Sequence, residues 1–203
     1  PPLGTVLPAG DHTLRVSFTP VDQDEYRPVS LERKLTVKKL PLIISVGNEL
    51  RNFGEPNPTF KLSYAGFLEG EAPTDLLAQP MVSTTANVES NPGVYPVTVN
   101  GAQSNNYEIS YHNGSLTVGQ ASVDLSWEQP PAVVYGSRLS AKELGAIATA
   151  AGTFSYEPPL GTLLSAGTHL LKVTFNPDSP SYGAKEAQTQ IVVGKAVLKV
   201  GVD

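Results

Sequence analysis

Apolar and polar residues alternate at period two through a series of short runs. In residues 11–18, DHTLRVSF, the side chains Leu14, Val16 and Phe18 fall on one face and Thr13, Arg15 and Ser17 on the other. That spacing predicts a half-buried strand. Residues 29–37, VSLERKLTV, continue the pattern through Val29, Leu31, Leu35 and Val37. Further strands are predicted in LPLIISV (40–46), GVYPVTV (93–99), NYEISYHNGSLTV (106–118), HLLKVTF (169–175) and TQIVV (189–193). Turn residues separate them every 8–15 positions, a rhythm that fits an all-β sandwich better than alternating strand–helix units. Asn113-Gly114 predicts a type I′ hairpin turn. One segment, 140–152, admits a helix: Ser140 with Glu143 three residues on is a capping-box arrangement. It reads either as a single helical turn at 140–144 or as a short turn followed by a strand.

The chain also repeats itself. Residues 1–20, PPLGTVLPAGDHTLRVSFTP, return at 158–177 as PPLGTLLSAGTHLLKVTFNP with thirteen identities. After a one-residue deletion the register holds from Tyr26/Tyr182 to Val37/Val193, Leu42/Leu198 and Val46/Val202. Self-similarity at a fixed period is the mark of an array of units. The copies flank a different segment, and the first begins in mid-unit, so a window from a longer tandem protein is expected.

Composition narrows the function. The 18 Gly and 18 Pro fall between β-rich runs and act as turn punctuation. A net charge of −5 without basic clusters argues against nucleic acid as a partner. No stretch approaches the ~18 apolar residues that would span a bilayer, and none reads as a signal peptide. With no cysteine, disulfides, thiolate catalysis and cysteine zinc sites are excluded.

Particular residues carry resemblances to known families. The stretch 121–193 resembles the bacterial Ig-like repeat of large surface proteins. It does so through Trp127, Pro130, Val134-Tyr135-Gly136, Leu139, Phe154-Ser155-Tyr156, Pro159, Gly161-Thr162, Ala166-Gly167, His169, Val173-Thr174-Phe175, Pro177 and Tyr182. Residues 1–37 match the C-terminal half of that repeat. The middle segment is similar to the MBG ("mostly beta, glycine-rich") domain. The residues that carry this are Phe53-Gly54, Pro56-Asn57-Pro58, Tyr64, Gly66-Phe67, Gly93-Val94-Tyr95-Pro96-Val97, Asn106-Tyr107 and Asn113 to Val118. Phe53 stands where that family usually has tyrosine, which removes a hydroxyl hydrogen bond. The expected organisation is therefore half of an Ig-like domain at 1–38, an MBG-type domain at 39–119, a complete Ig-like domain at 120–194 and the first strand of a further MBG-type domain at 195–203. Short joints at 38–40, 119–121 and 194–196 restrict hinge freedom. The resemblance implies a cell-surface or secreted adhesin-type repeat without catalysis, and supplies no ligand or binding residues.

Candidate chemistry is sparse. His12 and His169 occupy equivalent repeat positions and read as structural, at a strand entry or a turn hydrogen bond. His112, beside Asn113, reads as exposed. Asp22, Asp24 and Glu25 form a local carboxylate cluster that could offer oxygens to a hard cation. The later copy has Asp178-Ser179-Pro180-Ser181 there, so a solvated loop tip is the stronger reading. Asn113-Gly114-Ser115 formally matches a glycosylation acceptor, and its turn chemistry already explains it. Trp127 with Tyr135 and Tyr156 could make a sugar-stacking platform, although a core role is favoured. Tyr107 and Tyr111 share a strand face. No phosphate loop, nucleophile elbow, catalytic carboxylate pair or isopeptide triad is recognisable.

The sequence thus assigns no catalytic, cofactor-binding or metal-binding residue and no cofactor. It predicts a non-enzymatic stalk, spacer or filament segment, extracellular or at a bacterial cell surface, whose partners are neighbouring repeats. Like subunits in a filament or a cell-surface glycan or protein are further possible partners. A glycan- or protein-binding module and a strand-exchanging filament subunit are the alternatives.

Overall fold

A computed structural model describes residues 2–198. Its strands are β1 (Gly10–Phe18), β2 (Val29–Val37), β3 (Leu40–Val46), β4 (Glu49–Asn52), β5 (Leu62–Ala65), β6 (Met81–Thr84), β7 (Gly93–Asn100), β8 (Tyr107–His112), β9 (Gly114–Gly119), β10 (Leu125–Ser126), β11 (Val133–Val134), β12 (Ile147–Ala148), β13 (Gly152–Glu157), β14 (Gly167–Pro177) and β15 (Lys185–Gly194). The protein is all-β with sandwich-like sheets, and the described residues contain no α-helix, only a short 3-10 turn at Pro73–Asp75. The strands that alternation predicts are all present, with ends that agree to within four residues.

The chain divides into two compact units, each discontinuous in sequence. The first comprises Pro1–Glu49, Pro58–Thr85 and Val94–Leu116. It contains the β1–β2 hairpin, antiparallel from Gly10↔Val37 to Phe18↔Val29. It also contains a sheet in the order β5-β3-β8, with β3 and β8 parallel, and a second sheet portion in the order β9-β7-β6. Leu42, Ile44, Val46, Val97, Val99 and Leu116 alternate inward from these strands and are buried. Their removal from water is the main stabilising term of this unit.

The second unit comprises Leu50–Asn57, Ala86–Gly93 and Thr117–Asp203. Its main sheet runs β11-β15-β14-β13, with a small β10–β12 pair beside it in sequence. Leu171, Val173, Phe175, Ile191 and Val193 project inward from β14 and β15. Leu139, Leu144, Leu171 and Ile191 form a core cluster against which Trp127, Val133, Tyr156 and Leu164 pack. Phe154 of β13 sits with its ring 5.0 Å from that of Phe175.

Three expectations change, and one open alternative is decided. Asn113-Gly114 makes no hairpin: β8 and β9 belong to different sheets, and the chain crosses between them at this pair. Gly114 is required because a Cβ there would collide with the carbonyl oxygens of Gly47 and Val46, not because its φ is positive. Segment 140–144 is a turn followed by strand β12, although Leu144 N–H does donate to the Ser140 carbonyl at 3.0 Å, a single helical bond. β1 and β2 are half-buried only toward Leu14 and Val37; Val16, Phe18, Val29, Leu31 and Leu35 are exposed, and among the described residues the pair has no third strand. Of the strand expected at 195–203, residues 195–198 carry no strand and the rest lies outside the described residues.

Candidate functional site

The turn that precedes β1 is built a second time ahead of β14. Thr5 Oγ1 donates to the Pro2 carbonyl at 2.8 Å and Thr162 Oγ1 to the Pro159 carbonyl at 2.7 Å. Gly4 and Gly161 both take φ of 85°, and Gly10 and Gly167 take 132° and 138°. Only glycine reaches these values without strain. His12 Nε2 and His169 Nε2 each lie 2.7 Å from a carbonyl four residues back, Pro8 and Ser165. The two histidines therefore clamp the turn that launches β1 and β14, and each imidazole has its partner in its own loop.

The acidic tip is likewise a turn. Asp22 Oδ1 accepts the N–H groups of Asp24 and Glu25, both at 3.1 Å. In the later copy Ser179 Oγ accepts the Ser181 N–H at 3.2 Å. A hydroxyl thus does there what the carboxylate does here, as expected for a cap. The one-residue deletion falls inside this turn: Tyr26 N–H reaches back four residues to Asp22, and Tyr182 N–H three residues to Ser179. Among the described residues no group of three or more His, Asp or Glu side chains is placed to hold a metal ion.

The tryptophan is half-buried. Its ring meets Tyr156 edge-on with centroids 5.3 Å apart, and its Nε1–H donates to the Glu143 carbonyl at 3.2 Å. Tyr156 Oη in turn accepts the Ala146 N–H at 3.2 Å. Tyr135 does not join this pair; it is exposed and lines a shallow depression with Ala166, Ala196 and Leu198. Trp127 borders a cleft of about 390 Å³ with Pro131, Lys142, Glu143 and Ile147. Glu143 is buried, and both the backbone N–H and the hydroxyl of Ser140 donate to it, at 3.0 and 2.5 Å. The Ser140 hydroxyl bond, against the opposing effect of burial, holds its carboxyl below the usual value. The capping residues foreseen in the sequence are thus bonded to each other.

Tyr107 and Tyr111 do not make an exposed row. Tyr107 is buried; its hydroxyl donates to Glu71 and accepts the Leu68 N–H at 3.0 Å. Burial, with the Glu71 hydrogen bond second, raises its pKa above 10.0. Tyr111 Oη donates to the Ala102 carbonyl at 3.2 Å. His112 is exposed, and Asn113 Oδ1 accepts the Val99 N–H at 3.1 Å.

Sequence reasoning missed Arg51. It is buried and donates to Asn57 Oδ1 at 2.8 Å, to the Asn52 carbonyl at 3.0 Å and to the Asn87 carbonyl. Asn57 Nδ2 passes the connection to the Ala86 carbonyl at 2.7 Å. A guanidinium offers five donors in a fixed fork, which suits tying several loops together. The available signal was an arginine in strand β4 facing the Pro56-Asn57-Pro58 turn.

An MBG domain (YGX type) is found at residues 42–117. No curated protein matches the chain. Among solved structures, the chain is similar to Drosophila N-cadherin EC1-4 at 12% identity, covering 93% of this chain and 59% of that one, with a TM-score of 0.28. Drosophila N-cadherin EC1-3 matches at 14% identity over 83% of this chain and 74% of that one, with a TM-score of 0.29. The chain thus spans less than two thirds of the first of these structures, and at these scores neither likeness supports an argument about function.

Proposed function

We propose that this protein is a non-catalytic structural segment, a stalk or spacer of an extracellular bacterial surface protein of the adhesin type. In this reading Ig-like repeats flank the MBG domain, and neighbouring repeats are the partners. The observation that carries the reading is the doubled turn. The same threonine, glycines and histidine build it twice, with matching φ values and matching hydrogen bonds, at either side in sequence of the MBG match. Repeated units of this kind draw stability from their own cores and from nearest neighbours, which suits length and stiffness more than a single reactive centre.

The candidate reactive side chains support the same reading, because their polar atoms are engaged locally. The histidines bond turn carbonyls, Asp22 caps a loop, Trp127 bonds the Glu143 carbonyl and Tyr107 bonds Glu71. Light scattering with small-angle X-ray scattering on the 203-residue chain tests the proposal. An elongated monomer is the expected result. A compact particle in which the units fold back on each other would overturn the spacer reading.

A further inference from the structure

We propose that the first and last strands of the MBG segment form a clamp that carries tension along the chain, with Asn48 bridging the two where their ladder ends. The stalk reading supplies the direction of the load, which enters ahead of Leu40 and leaves through β9, and the proposal rests on it to that extent. β3, the first strand, pairs in parallel with β8 from Leu40↔Tyr107 to Ser45↔His112. The Leu40 N–H donates to the Asn106 carbonyl at 3.0 Å and closes the entering end. Because the strands run the same way, the chain enters at one end of the pair and leaves at the other. Tension then slides one strand along its partner, and the ladder bonds share the load instead of breaking in turn.

The ladder ends where both strands change sheet, β3 leading into β4 and β8 into β9. The two backbones stay so close at this point that a Cβ on Gly114 would collide with the Gly47 carbonyl. Asn48 spans the crossing: its Oδ1 accepts the Ser115 N–H at 2.9 Å and the Ser115 hydroxyl at 3.0 Å. Ser115 lies 67 positions beyond Asn48, the same offset that separates Leu40 from Tyr107. The side chain thus continues the register of the backbone ladder past its last pair.

The second unit reaches the same geometry with other residues. Its leading segment pairs in parallel with its closing segment at two places, Ala121↔Tyr182 and Val133↔Val193. At the entering end the Ala121 N–H donates to the Ser181 carbonyl at 2.9 Å, and Lys185 Nζ donates to the Val123 carbonyl at 2.7 Å. At the leaving end the Tyr135 N–H donates to the Gly194 carbonyl at 2.8 Å. The β1–β2 hairpin is the opposite case. Its strands are antiparallel, and the chain enters and leaves at the same end, Gly10↔Val37, so tension there parts the pairs one at a time.

Single-molecule pulling on the full chain tests the clamp, and a sequence without cysteine lets handles be placed by substitution. Handles at Lys38→Cys and Ser122→Cys load β3 against β8 in shear. Handles at Lys38→Cys and Glu69→Cys pull the antiparallel β3–β5 pair apart from its Ile43↔Ala65 end. The first geometry is expected to need a rupture force several times that of the second. Asn48→Ala is expected to speed rupture about tenfold at fixed force in the first geometry, through loss of both bonds to Ser115, and to leave the second unchanged. Ser115→Ala keeps the backbone bond, is expected to show a smaller effect of the same kind, and serves if Asn48→Ala does not fold. Equal forces in the two geometries overturn the proposal. So does an Asn48→Ala chain that ruptures like the parent, and so do variants that weaken both geometries alike, which is loss of ordinary stability. A chain elongated in scattering that yields equally in both directions keeps the spacer reading and ends the load-bearing one. A compact particle with the direction dependence intact ends the spacer reading alone.

Discussion

The ring of Phe53 meets the ring of Tyr182 edge-on, with centroids 5.8 Å apart and planes at 74°. Both residues belong to the second unit, in which residues 50–57 and 86–93, drawn from within the MBG match, share one compact body with residues 117 onward. The same neighbourhood holds the Ser181 Oγ to Asn91 Oδ1 bond at 3.2 Å and the Phe53 N–H to Gly119 carbonyl bond at 2.8 Å. Phe53 thus contacts Tyr182 ring against ring, an interaction that involves no hydroxyl at position 53. Tyr26, the repeat counterpart of Tyr182, is exposed.

A double-mutant cycle of Phe53→Ala and Tyr182→Ala is expected to return a coupling of about 0.5–1.5 kcal/mol in urea unfolding of the second unit. Additive single effects would show that the rings merely lie near each other. Phe53→Tyr should leave the midpoint close to that of the parent.

Phe175 and Phe18 offer a comparison at one repeat position. Phe175→Ala removes a fully buried ring and is expected to cost about 3–5 kcal/mol. Phe18→Ala, at an exposed ring, is expected to change stability by no more than about 0.5 kcal/mol. Chemical denaturation of both variants reads the difference. Equal losses would mean that the first hairpin is covered in solution.

Glu143 makes the second unit sensitive to acid. Its folded pKa is lowered, chiefly by the Ser140 hydroxyl bond. The stabilisation is therefore complete above the ordinary glutamate value of 4.5 and is lost as pH falls through the lower folded value. Ser140→Ala is expected to raise that pKa and to flatten the decline in stability between neutral and acid pH. Carbon-detected NMR titration of the carboxyl checks the direction.

Tyr107 behaves oppositely. Its folded pKa is raised, so its contribution is present below the ordinary tyrosine value of 10.0 and fades as pH rises through the higher folded value. Tyr107→Phe leaves the Leu68 N–H and Glu71 without their hydroxyl partner and is expected to cost about 1–3 kcal/mol. Ultraviolet titration should show two tyrosines, Tyr64 and Tyr107, ionising later in the parent than in the unfolded chain, and one fewer in the variant.

The backbone was largely legible in the sequence, and the surroundings of each side chain were not. Period-two alternation located β1, β2, β3, β7, β8, β14 and β15, because a strand's side chains point alternately to two faces whatever lies beyond them. The repeat foretold that His12 and His169 do the same work, since identical local residues close identical turns. Local rules failed where a distant chain segment decided the outcome. Asn113-Gly114 has the composition of a hairpin turn, yet Gly114 is demanded by the approach of Gly47, 67 positions earlier. Arg51 reads as a surface charge until Asn57 and Asn87 converge on it. Val16 and Val173 lie in nearly the same sequence, one in water and one in a core. Alternation states which face is apolar; only the residues that pack against that face decide whether it is buried.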